Sequence, residues 1–211
     1  MVIAPALPES HAGSLALIGS ELAFDFTNTS SGRGFPTHQE HLRSAENVVD
    51  WAQHAKLLGP EDTEWLRAAV SADEGLADRM LRRALELRET IFAIAVELAA
   101  GRSAPKRHVD TLTQTHAACI ARAKLTLIEG RYFWSWTPRE SAVEAVLGPI
   151  VLSALAVLTQ ADLSRVKQCQ GDKCGWLFFD TTKNKSRRWC EMEVCGNRAK
   201  QRRHSARMHG A

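Results

Sequence analysis

Four cysteines stand in two pairs, Cys169-x4-Cys174 and Cys190-x4-Cys195, with fifteen residues between them. A short loop within each pair lets two sulfurs face one point. Two such pairs, brought together by a chain that doubles back, complete the tetrahedron of thiolates that Zn²⁺ prefers, with bonds of about 2.3 Å. Two disulfides are the competing pairing. They are disfavoured because no positively charged side chain precedes Arg33, so the start lacks the charged region of a secretory signal and a reducing, cytoplasmic setting is expected. Four protein sulfurs leave the ion no open position, so one structural zinc per chain is the expected cofactor. Cys119 stands alone on a helical pattern and reads as a small buried hydrophobe.

The charge around these cysteines suggests a polyanionic partner. Overall the chain carries only +3, yet residues 165–211 hold 12 Lys and Arg against 4 Asp and Glu, while residues 1–164 are net −5. A zinc tetrathiolate contributes −2 and leaves the terminal segment at about +6, a footprint suited to phosphates. The candidate contacts are Lys183, Lys185, Arg187 and Arg188 between the pairs, and Arg198, Lys200, Arg202, Arg203 and Arg207 beyond them. Lys200, Arg203 and Arg207 recur at i, i+3, i+7 of a helix, and Arg198 with Arg202 forms a neighbouring stripe. DNA is the expected partner, with RNA open; a solubilising tail or a surface for an acidic protein is the bland reading. Asn197 is a helix cap or, with Arg198, a reader of base edges. Trp176, Phe178, Phe179 and Trp189 are expected to pack around the metal rather than stack on bases, and His204 and His209 to face solvent.

In residues 1–164 the notable polar pair is Asp25 and Asn28, set among Leu22, Phe24 and Phe26. Such groups must find partners or line a pocket. Backbone satisfaction at a helix start and a small-molecule effector pocket are both open. His38 and His41 are spaced too generally for a metal or proton relay. No nucleophile elbow, phosphate-binding glycine loop or metal-binding helix motif occurs, so no enzymatic activity is expected.

These residues need elements to hold them, and 211 residues at 45% hydrophobic content suffice for a core. Residues 1–12 read as a loose arm and 14–18 as a short strand. Helical periodicity marks 43–58, stopped by Gly59-Pro60, then 62–70, then a long helix from Leu76 to Ala99 ended by Gly101. A further helix over 106–123 turns Val109, Leu112 and Ile120 inward. Lys124–Trp136 alternates β-branched and aromatic residues around Glu129-Gly130, the mark of a hairpin. The apolar run 145–158, broken by Gly148-Pro149 and Ser153, is shorter than the ~20 residues of a membrane span and reads as a core helix; no membrane partner is expected. The pattern is mainly α with a small antiparallel β-sheet, an α+β domain over 1–164. Residues 165–211 then form the metal module: knuckle, a hairpin of Trp176–Asp180 against Arg187–Cys190, and a helix. That order is treble-clef-like. Since 1–160 hold their own core, loss of the metal is expected to unfold the finger alone.

Cys190-Glu-Met-Glu-Val-Cys-Gly-Asn-Arg198, with Cys169-x4-Cys-Gly-Trp-Leu-Phe-Phe-Asp180, resembles the CGNR zinc-finger family. In that family the finger follows an ABATE domain, described as a stress-induced transcription regulator, with a motif like Leu22-Ala-Phe-Asp-Phe-Thr-Asn-Thr29. The resemblance implies a bacterial, zinc-dependent, DNA-binding regulator of transcription in the stress response. Its first domain would sense a ligand or pair with a second copy as a homodimer. An RNA-associated or protein-docking factor without DNA sequence preference is the alternative.

Overall fold

The computed structural model describes residues 12–209, apart from the side chains at 203, 204 and 206–209; most of the arm over 1–12 therefore lies outside the described residues. The helices are α1 (Leu22–Thr27), α2 (Ala45–His54), α3 (Pro60–Ala72), α4 (Glu74–Ala99), α5 (Lys106–Ile120), α6 (Ala142–Gln160) and α7 (Asn197–His209). Three two-stranded antiparallel ladders accompany them: β1 (Ser30–Ser31) with β2 (Gln39–Glu40), β3 (Lys124–Ile128) with β4 (Arg131–Ser135), and β5 (Val166–Gln168) with β6 (Leu177–Phe179). The protein is thus mainly α with small antiparallel sheets.

Helix α4 forms where the longest apolar stripe lies. The Asp73 carboxylate caps it by accepting the Leu76 N–H at 3.0 Å, and Gly101, at φ 73°, ends it. Its stripe, Met80, Ala84, Leu87, Ile91 and Ile94, meets Trp51, Phe26, Leu66, Leu112, Leu147 and Ile150 in the main core. Helix α6 is long and apolar enough to cross a membrane by length and composition, but Val146, Leu147, Ile150 and Val151 are fully buried against α1, α4 and α5, which makes it the core helix. Its Gly148 is a packing necessity. A Cβ there would stand 2.5 Å from the Trp136 ring, which is anchored by its own Nε1–H to the Cys119 carbonyl at 2.8 Å.

Four local expectations are corrected. Helix α2 ends at His54, because Lys56 takes the left-handed φ of 60° and donates to the Gln53 carbonyl while Leu57 donates to Ala52. This is a Schellman close with lysine where glycine usually signals it; Gly59-Pro60 instead opens α3. Residues 14–18 are not a strand: Ala12–Ser14 is a 3₁₀ turn, and the Leu15 and Ile18 carbonyls accept from His54 and Arg187 side chains. Val109 is exposed, and Cys119 takes the inward position with Leu112. Burial pushes the Cys119 thiol up to about 11, so it stays an inert hydrophobe. In the finger, β6 pairs with β5 rather than with Arg187–Cys190. The β3–β4 hairpin forms as expected but leaves Leu125, Leu127, Tyr132 and Trp134 exposed on one face.

Between the helical part and the finger lies a second, shared core. Phe24 of α1, Ala95 of α4 and Val157 of α6 enclose Val166 of β5 and Leu177 of β6. Burying Phe24, Val157, Val166 and Leu177 together contributes roughly 1.5–3 kcal/mol each, so the finger strands are built into the helical body.

Candidate metal centre and nucleic-acid interface

The first cysteine pair sits at the turn of the β5–β6 hairpin. Cys169 follows β5 directly and donates its N–H to the Trp176 carbonyl at 2.8 Å, while Lys173 and Gly175 take φ of 62° and 73° to fold the knuckle. Cys190 arrives on irregular chain, and Cys195 on a wide π-type turn, Met192–Gly196, that leads into α7. All four Sγ atoms lie within 4.8 Å of one another. The Cys174–Cys190 and Cys190–Cys195 separations are 3.6 and 3.7 Å, against about 3.8 Å for the edge of a tetrahedron with 2.3 Å Zn–S bonds.

The surroundings also suit a thiolate centre. Gly171 and Cys190 point their N–H groups at the Cys169 sulfur, at 3.4 and 3.3 Å. A Cβ at Gly171 would stand 3.0 Å from Cys195 Sγ, so only glycine lets the knuckle approach this closely. Hydrogen bonds from the Cys174 and Cys190 thiols hold Cys169 far below the usual thiol range. The Cys169 thiolate in turn pushes Cys174 up to about 12, and burial raises Cys195. Four sulfurs at this spacing cannot all ionise on their own; a central divalent cation removes the conflict. Cys169, Cys174, Cys190 and Cys195 therefore make a closed, structural zinc site. Phe178 is fully buried against it, with Trp176 and Trp189 half-buried alongside.

The nine candidate cations divide sharply. Arg187 is structural: its guanidinium donates to the carbonyls of Ile18, Trp189 and Cys190 and to the Ser20 hydroxyl, and lies 4.3 Å over the Phe178 ring. Lys185 is held by Asp162 at 2.5 Å and Ser164 at 2.8 Å. Arg202 pairs with Asp172, and Arg188 donates to Gln170 at 2.8 Å. Lys183, Arg198 and Lys200 are exposed and without a side-chain partner among the described residues. Arg203 and Arg207 lie on α7, but their side chains, like those of His204 and His209, fall outside the described residues. Lys173, an exposed knuckle cation next to a ligand, was missed by helix-stripe reasoning because its position follows from a left-handed turn. With Arg198 it lines a cleft of roughly 210 Å³ beside the metal centre.

The polar pair of α1 joins the two parts of the chain. Asn28 caps the end of α1, not its start, and its amide bonds both ways with Leu177 of β6: Nδ2 donates to the carbonyl at 3.0 Å and Oδ1 accepts the N–H at 2.9 Å. Nearby, Gly32 donates to the Cys174 carbonyl, Phe179 to the Gly19 carbonyl, and Trp176 Nε1 to the Ser31 hydroxyl. Both ends of the Asn28 amide are thus spent on the finger. The void beside Phe24 is only about 10 Å³, about one water-sized sphere. His38 and His41 bond to Ser30 and Ser31 of β1.

Asp25 accepts the Gly19 N–H at 2.7 Å, and burial, reinforced by Glu21, raises its carboxyl to about 6. A carboxyl whose folded pKa exceeds the unfolded one binds its proton more tightly when folded. Its contribution is therefore full at acid pH and is lost as pH rises from about 4 through about 6. Asp25→Asn keeps the acceptor for Gly19 and should flatten that fall in a series of urea midpoints across the window. An unchanged slope in the variant would remove Asp25 as its source.

A predominantly helical body carrying a closed four-cysteine metal site in its last quarter defines a zinc-finger protein. Residues 165–208 match the CGNR zinc finger, and residues 20–161 match ABATE, whose description is "Putative stress-induced transcription regulator". The chain belongs to the ABATE family and carries a CGNR zinc finger at its end. No curated protein matches it.

Proposed function

We propose that this chain is a zinc-dependent transcription regulator of the cytoplasm whose finger binds duplex DNA. The observation that carries the reading is the set of exposed cations without a side-chain partner among the described residues, Lys173, Lys183, Arg198 and Lys200, displayed around a module whose side chains sum to +8 and which keeps about +6 once the zinc tetrathiolate is counted. Zinc here shapes the surface and carries out no chemistry, since four sulfurs complete its coordination. Binding duplex is favoured over stacking on unpaired bases because Phe178 is buried and both finger tryptophans pack against the zinc cluster.

The test is selection of bound sequences from a random duplex library by zinc-loaded protein, followed by affinity measurements at rising salt. If about four phosphates are neutralised, affinity should fall roughly 10²-fold between about 50 and 200 mM salt. Lys200→Ala should weaken specific and random duplex alike and reduce the slope by about one unit, whereas Arg198→Ala should cost about 1–3 kcal/mol on the selected site alone. Arg187→Ala should instead destabilise the finger. A salt-independent affinity, or no enriched sequence together with equal binding to RNA, would sink the reading.

A further inference from the structure

Far from the finger, the helical part gathers four arginines around one cleft of roughly 370 Å³, within the range of small-molecule sites. Arg79 and Arg83 come from α4, Arg122 from the chain just after α5, and Arg139 from the segment before α6. The concentration is unexpected in residues 1–164, which are net −5. Of the four, only Arg83 is committed, to Glu144. Arg79 is 4.0 Å from Asp73, and Arg139 is 3.7 Å from Glu61 while leaning over the Trp65 ring at 5.7 Å. Arg122 has no side-chain partner among the described residues. The other lining carboxylate, Glu140, is taken by Lys124 at 2.6 Å. The cleft is therefore positive and has donors to spare.

We propose that this cleft binds the phosphoryl group of a small molecule. A carboxylate has two oxygens and is satisfied by one guanidinium fork; several loosely held forks converging on one space suit an anion with three or more oxygens. The floor adds to this preference, since Ala142 and Val143 open α6 and Ser141 makes no side-chain cap to its first N–H groups. Sequence patterning could not show this site, because its arginines are separated by as many as sixty positions and each alone looks like a solvated surface charge. The site is independent of the DNA-binding reading.

Inorganic phosphate and glycerol 3-phosphate share the required group, and titration of the zinc-loaded full chain with each, at constant ionic strength, separates the free ion from an ester. The readout is the amide resonances of Ala142 and Val143. They should shift to saturation as one site, with the tighter probe naming the source; succinate should be at least tenfold weaker. Arg79→Ala with Arg122→Ala, both on exposed positions, should weaken phosphate at least tenfold without altering the melting temperature. Arg198→Ala with Lys200→Ala on the finger should leave the titration unchanged. Resonances that do not move when phosphate replaces chloride, or that move equally in the cleft double variant, would overturn the proposal.

Discussion

Cys190→Ser, or removal of zinc by a chelator, should lower the melting temperature of the helical body as well as unfold the finger. In isolated fingers the metal supplies on the order of 10 kcal/mol of folding free energy, so residues 165–211 will not hold without it. The shared core makes the loss propagate. Without β5 and β6, Phe24, Ala95 and Val157 lose their cover from Val166 and Leu177, and both ends of the Asn28 amide lose their partner. Together these contacts amount to on the order of 5 kcal/mol, or about 10–20 °C for a chain of this size. Helical circular dichroism should persist at low temperature, because the main core lies elsewhere, but should melt earlier than in the zinc-loaded protein. A helical melt at the same temperature with and without metal would show that the finger is independent after all.

The second large effect is expected at Arg88, which is 3% exposed. Burial works against its charge, and the carboxylates of Glu40 and Glu89 overcome that. Glu40 grips it with two oxygens, each at 2.5 Å, Glu89 accepts from Nε at 2.9 Å, and Glu89 also holds Arg33 in a two-pronged pair. Arg33 in turn lies 4.0 Å over Phe92, and its neighbour Gly32 donates to the zinc ligand Cys174. Glu40→Ala leaves the buried guanidinium with the half-exposed Glu89 as its one carboxylate and should cost about 3 kcal/mol. Arg88→Met should cost less, since the freed Glu40 is partly exposed and can turn to water. The double variant should then recover most of the loss relative to Glu40→Ala, a coupling that urea unfolding of the four proteins measures. A larger cost for Arg88→Met than for Glu40→Ala would show that packing, not the buried charge, dominates.

Both predictions depend on contacts that no local pattern announces. Local pattern did determine a great deal. The paired cysteine spacing specified the zinc ligands, because a short loop holds its two ends together whatever surrounds it. Periodicity specified α4 and the core character of α6, and the turn residues Glu129-Gly130 placed the β3–β4 hairpin, since each is a property of consecutive residues. Only the tertiary structure decided that β6 lies beside β5, that Lys56 closes α2 in place of glycine, and that Arg187 is anchored by carbonyls while Lys200 remains exposed. It alone made Asn28 a clasp on Leu177 and gathered Arg79, Arg83, Arg122 and Arg139 around one cleft. The division has a single cause. Dihedral preference and amphipathic period act over a few residues and are written in order along the chain, whereas the partner of a buried amide or a guanidinium is chosen by which distant segment the two cores bring within 3 Å.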